Sequence, residues 1–151
     1  MNLKNVAHIN KARRLKYPKN EMLVVGSGTL ALLGLKKNKD LDFWATKNVT
    51  RQLSYDKNFI QKRSKLDGNI MYESKDGTIE IGDSLPPFKN VKDHLKRAIV
   101  IYGIHFQSPE DVLAWKRYMN RPKDQPDIRA LENYLKNKVI ESHMKTLRRL
   151  I

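Results

Sequence analysis

The chain has 151 residues, 40% of them hydrophobic and 8% aromatic, enough to fill one core and too few for several independent domains. With no cysteine, disulfides and thiol chemistry are excluded, and no apolar run reads as a membrane span or a secretory leader, so a cytoplasmic protein is expected. Thirty Lys and Arg against 16 Asp and Glu give a net charge of +14, which favours polyanionic partners such as RNA or tRNA, although the same excess also serves solubility.

Val6, Ile9, Ala12 and Leu15 recur every third residue, which predicts a short amphipathic helix ending at Tyr17-Pro18. Met22-Leu-Val-Val25 is an unbroken apolar run and reads as a buried strand. Gly26-Ser27-Gly28 turns the chain into a helix predicted over 29–35, and a second strand is predicted over 41–45. Residues 50–61 fit neither period cleanly, and one reading is a further helix. Residues 69–73 and 78–81 read as the arms of a hairpin around Asp76-Gly77, and 98–106 as one β-branched strand. Ser108-Pro109-Glu110-Asp111 has the signs of a helix start: a hydroxyl cap, proline at the first position and an acid at the third. Helices are predicted over 109–119, 125–138 and 141–150.

These elements describe an α/β (α+β) chain with a small mixed sheet, flanking helices and a helical C-terminal segment. It divides into an N-terminal helix (1–20), a core (21–107) and C-terminal helices packed on that core (108–151).

The chemistry gathers around the second strand. Asp40 and Asp42 are one residue apart, so on a strand they point to the same side. Two adjacent carboxylates repel unless a cation lies between them, and all-oxygen ligands suit Mg²⁺ or Mn²⁺ rather than zinc. The Gly-Ser turn ahead of them offers backbone N–H groups to an anion. Either signal alone also fits a solvated turn; in this order, each joined to an apolar strand, they describe a metal-phosphate site. Glu80, between Ile79 and Ile81, faces away from the core if the isoleucines face into it, and supplies a third carboxylate.

Gly26-Ser-Gly28-Thr-Leu-Ala31 also satisfies a dinucleotide-binding pattern, but the acids come too early to hold a ribose. A P-loop is excluded because no Gly-Lys-Ser/Thr follows the turn. His8, His94, His105 and His143 have no metal-ligand spacing and read as surface or core residues. Trp115 and Tyr118 read as packing residues, with base stacking the alternative for an exposed ring. Basic runs occur at 11–16, 36–39, 57–65 and 145–149, and Lys36-Lys37 flank the acidic pair.

Gly26-Ser27, Asp40-x-Asp42 and Glu80 together resemble the nucleotidyltransferase superfamily with the DNA polymerase β type of catalytic domain, especially its minimal members. Downstream, the Pro109–Lys116 segment followed by Arg121-Pro-Lys123-Asp124-Gln-Pro-Asp127 is similar to a helix-loop-helix of antibiotic-modifying, abortive-infection and toxin nucleotidyltransferases. The resemblance implies catalytic, metal-binding roles for Asp40, Asp42 and Glu80 and nucleotide binding by Gly26, Ser27, Gly28, Lys36, Lys116 and Lys123. Asp124 and Asp127 read as acids that help start the next helix. It further implies transfer of a nucleoside monophosphate from a nucleoside triphosphate to an acceptor hydroxyl on RNA, protein or a small molecule, with Mg²⁺ or Mn²⁺. Water as acceptor would make it a nucleotide hydrolase; a non-catalytic nucleic-acid-binding protein is the other alternative.

Overall fold

The computed structural model describes residues 6–150, and the side chains of residues 9–150. Thirteen elements follow in order among these residues: α1 (Val6–Arg13), β1 (Met22–Val25), α2 (Ser27–Leu32), β2 (Leu41–Ala45), α3 (Lys47–Leu53), β3 (Phe59–Arg63), β4 (Ile70–Ser74), β5 (Ile79–Gly82), α4 (Val91–Lys96), β6 (Ile99–Ile101), β7 (Ile104–Phe106), α5 (Pro109–Met119) and α6 (Gln125–Leu150). The strands form a seven-stranded mixed sheet in the order β3-β4-β5-β2-β1-β7-β6. The expected α/β architecture, with flanking helices and a helical C-terminal segment, is present.

Strand alternation divides the sheet's residues between two cores. Val24, Leu41, Phe43, Ile79, Ile81 and Phe106 point to one side and pack with Ile9 and Ala12 of α1 and Val49 and Leu53 of α3. Leu23, Val25 and Trp44 point to the other side, where Leu85, Val91 and Trp115 cover them. A third cluster joins Leu30 of α2 to Val112 and Leu113 of α5 and Ile128 and Leu131 of α6. Burying each such large aliphatic side chain stabilises the fold by about 1.5–3 kcal/mol. The second face is covered only in part, and Asp42 and Glu80 lie on its open stretch.

Several boundaries differ from expectation for identifiable reasons. The first helix stops at Arg13, short of Tyr17; the part of the N-terminal segment before residue 6 lies outside the described residues. Residues 50–61 are no single helix: α3 starts earlier, capped by the Thr46 hydroxyl, which accepts from the Val49 N–H, and ends at Leu53. The Asp56 carboxylate then accepts the Asn58 N–H at 2.9 Å, a local turn that launches β3. Residues 98–106 form two strands, because Tyr102 and Gly103 take positive φ of 49° and 78° and turn the chain back on itself. The last two predicted helices are one, α6, since no glycine or proline interrupts 127–150. The short helix α4 has no predicted counterpart. Ser108 caps α5 as expected, accepting the Asp111 N–H at 3.1 Å.

Gly28 permits α2 to lie close against β1: a Cβ there would stand 2.3 Å from Val24 Cγ1. Gly28→Ala should therefore cost about 1–3 kcal/mol of stability by overpacking, read as a lowered urea midpoint. Val24→Ala in the same chain should recover part of it. An unchanged midpoint in the single variant would mean that α2 shifts freely on the strand.

Candidate active site

The site is built on strand register. β2 and β5 run parallel with Asp42 opposite Glu80, and β4 adds Glu73 opposite Glu80, so three carboxylate side chains stand in one row on the open face. Val25, at the end of β1, is the partner of Asp42 on the other side. The chain leaves β1 through Gly26, whose φ of +63° favours glycine, and the Gly26 N–H donates to Gln107 Oε1 at 3.1 Å. The Thr29 hydroxyl donates to the Gln107 carbonyl at 2.7 Å, so the turn is tied to the end of β7 from two points.

A cleft of about 540 Å³ opens over this row, and its lining includes Gly26, Ser27, Lys36, Asp42, Glu80, Lys116 and Lys123. Seven of the nine residues expected at the site thus meet in one place. Asp40, an exposed residue just before β2, does not line the cleft, although its carboxylate is near enough to raise the pKa of Asp42. Gly28 does not line the cleft: it is buried, and the absence of a Cβ lets it pack closely against Val24. α2 has only six residues, so any preference for an anion at its start comes chiefly from Ser27 and Lys36, not from a long helix dipole.

Opposite the acids stands a basic wall with its own scaffold. Lys116 on α5 is buried and lies 3.0 Å from Asp127 and 3.5 Å from Asp124. Lys36 reaches Asp127 at 3.1 Å and donates to the Ser27 hydroxyl at 3.3 Å. Arg121 grips Asp124 through Nε at 2.8 Å and Nη2 at 3.0 Å. Burial alone would raise the Asp124 carboxyl, but the Arg121 hydrogen bonds and the Lys116 charge hold it down at about 2. Asp124 and Asp127 thus do more than start α6: they fix two lysines at the cleft wall. The Trp115 ring completes this side, 5.3 Å from the Arg121 guanidinium and 5.6 Å from the Lys116 ammonium, with Nε1 donating to the Pro86 carbonyl at 3.0 Å.

The acidic floor is under electrostatic stress. Asp42 is solvent-accessible yet sits low in the cleft, and desolvation by the surrounding walls, then the Glu80 and Asp40 charges, push its carboxyl up to about 6, against the pull of Lys62 and Lys116. Lys62 on β3 is the local counter-ion, pairing with Glu80 at 2.6 Å and with Glu73. These contacts hold its ammonium charged above the ordinary lysine range. Sequence reasoning missed Lys62 because it did not recognise β3, whose half-exposed residues show no clean apolar-polar alternation; Lys62 shares its strand face with the exposed Ile60.

Among the described residues, no three His, Cys, Asp or Glu side chains converge as a ready-made metal cage. The donor chemistry nevertheless suits a hard divalent cation, since the row offers only carboxylate oxygens. Loading such an ion on Glu80 would require Lys62 to yield part of its hold. Among the described residues no histidine lines the cleft, and His94 is buried against Trp44 and Phe88, with ring centroids 5.0 and 4.3 Å away.

A raised carboxyl pKa means that the fold favours protonated Asp42. Its contribution to stability is complete below the ordinary carboxylate range near 4 and is lost as the pH rises through about 6. Asp42→Asn escapes that loss, so without divalent metal it should melt above the wild type at about pH 7.5, the gap closing towards pH 4. A gap that does not change with pH would show that Asp42 is not stressed. Comparison of the chain with protein-family models, curated proteins and solved structures found no match.

Proposed function

We propose that the chain is a metal-dependent nucleotidyltransferase that moves a nucleoside monophosphate from a nucleoside triphosphate to an acceptor hydroxyl. The observation that carries this reading is the pairing of Asp42 with Glu80 across one cleft from Ser27, Lys36, Lys116 and Lys123. An acidic row facing a basic wall matches a substrate whose negative phosphates need cations on both sides.

Asp40, Asp42 and Glu80 are the residues that would hold Mg²⁺ or Mn²⁺. When bound, such an ion lowers the pKa of an acceptor hydroxyl and offsets charge on the departing pyrophosphate. The Ser27 hydroxyl would donate to a phosphate oxygen, and Lys36, which donates to that hydroxyl, would supply positive charge. Lys116, held by Asp124 and Asp127, presents its ammonium without having to be ordered when substrate arrives, which reduces the entropic cost of binding. The half-enclosed cleft desolvates the phosphates and strengthens each of these contacts.

A second reading draws on the Lys62–Glu80 pair: with a built-in counter-ion, the acidic row persists without metal, as a non-catalytic nucleic-acid-binding protein would allow. Manganese titration separates the two, since saturable binding lost in Asp42→Asn belongs only to the transferase.

With α-labelled triphosphates and Mg²⁺ or Mn²⁺, Asp40→Asn and Asp42→Asn should reduce transfer to background. Glu80→Gln should lower turnover about a hundredfold with a smaller effect on triphosphate binding. Full transfer by the Asp40 and Asp42 variants would remove the proposal, and wild-type behaviour of Glu80→Gln would move the third carboxylate to Glu73, since Asp83 lies on the α3 side and accepts the Thr50 hydroxyl.

A further inference from the structure

A second groove, of about 590 Å³, opens on the α3 side of the sheet, lined by Lys47, Arg51 and Arg63 with Ile70 and Tyr72 beneath them. It is not separate from the active cleft. Arg63, Asn69 and Ile70, at the end of the β3–β4 hairpin, line both. The two cavities therefore adjoin at the hairpin end, which offers a path between the acidic row and α3.

The chemistry of the path is uniform. Lys47 and Arg51 are exposed, one helical turn apart on α3, and neither is in an ion pair among the described residues. Arg63 donates to the Gly68 carbonyl at 2.9 Å through Nη1, leaving its other N–H groups for a ligand. Asp83 is the acid on the groove, and its carboxylate already accepts the Thr50 hydroxyl at 2.7 Å. Ile70, among these cations, is 41% exposed, and Tyr55, the residue after the groove-lining Ser54, is 85% exposed. A row of unpaired cations beside an open ring is the combination that binds a phosphodiester backbone and stacks a base.

We propose that this groove binds single-stranded nucleic acid and leads its end to the active cleft as the acceptor. A single strand is favoured over a duplex because its unpaired bases can pack on the exposed apolar and aromatic surface beside the cations. The acceptor role rests on the transferase reading; the binding does not.

The test is titration of a labelled RNA strand of about 12 nucleotides into the purified chain, without triphosphate or divalent metal, across a salt series. A DNA strand of the same sequence identifies the preferred sugar. Lys47→Gln/Arg51→Gln should weaken binding about tenfold at low salt and flatten the log–log salt slope by about 1.4, the value for two lost phosphate contacts on a single strand. Tyr55→Ala should weaken it about fivefold or more. Lys145→Gln/Arg148→Gln, the same charge change on exposed α6, should have little effect. Equal losses from the α3 and α6 variants, or a duplex bound as tightly as the strand, would overturn the proposal. Because these titrations contain no triphosphate, a strand that binds through α3 but receives no nucleotide counts against the transferase alone.

Discussion

The parallel register of β2 on β5 is the constraint on which the site depends. Because side chains alternate along a strand, setting Asp42 opposite Glu80 puts both acids on the open face while Leu41, Phe43, Ile79 and Ile81 fill the core behind them. A slip of one residue would bury the acids and expose the apolar side chains, a cost of many kcal/mol that the fold does not meet. The hydrophobic core therefore enforces the proximity of the like charges. Desolvation in the cleft, with repulsion from Glu80 and Asp40 added to it, is the consequence and raises the carboxyl of Asp42.

Much of the remaining polar architecture answers that concentration of charge. Lys62 reaches across from β3 to neutralise Glu80 and Glu73. On the opposite wall the arrangement is inverted: Asp124 and Asp127 are buried and serve as anchors for Lys116, Lys36 and Arg121. Buried ion pairs of this kind add little net stability, since desolvation offsets most of their attraction. What they supply is position, holding cationic groups at a cleft wall where freely rotating lysines would otherwise disperse into water.

The β3–β4 hairpin links these features to the rest of the surface. It carries Lys62 towards the acids on one face and Arg63 towards α3 on the other, as adjacent residues on a strand must. Its end, between Arg63 and Ile70, is shared by both grooves. One hairpin thus contributes the counter-ion of the acidic row and a boundary shared with the basic groove over α3.

The strands at the centre of the site were legible from local pattern alone. Met22–Val25 and Leu41–Ala45 have the expected bounds, and the hairpin around Asp76-Gly77 is present, because an unbroken apolar run and an Asp-Gly turn carry their own geometry. Ser108 as the cap of α5 was legible for the same reason. The turn at Tyr102-Gly103 and the strand β3 were hidden, since an apolar stretch can hold a reverse turn and a basic, half-exposed edge strand lacks clean alternation. The sequence by itself determined that a Gly-Ser turn and a pair of acids would lie next to buried strands, since those signals are set by the residues' own conformational preferences. Only the tertiary structure decided that Glu80 stands beside Asp42, that Lys62 neutralises it, and that Lys116 is fixed by Asp124 and Asp127. Each of these depends on which strands and helices become neighbours, a choice made by the burial of apolar surface across the whole chain and written in no single segment of it.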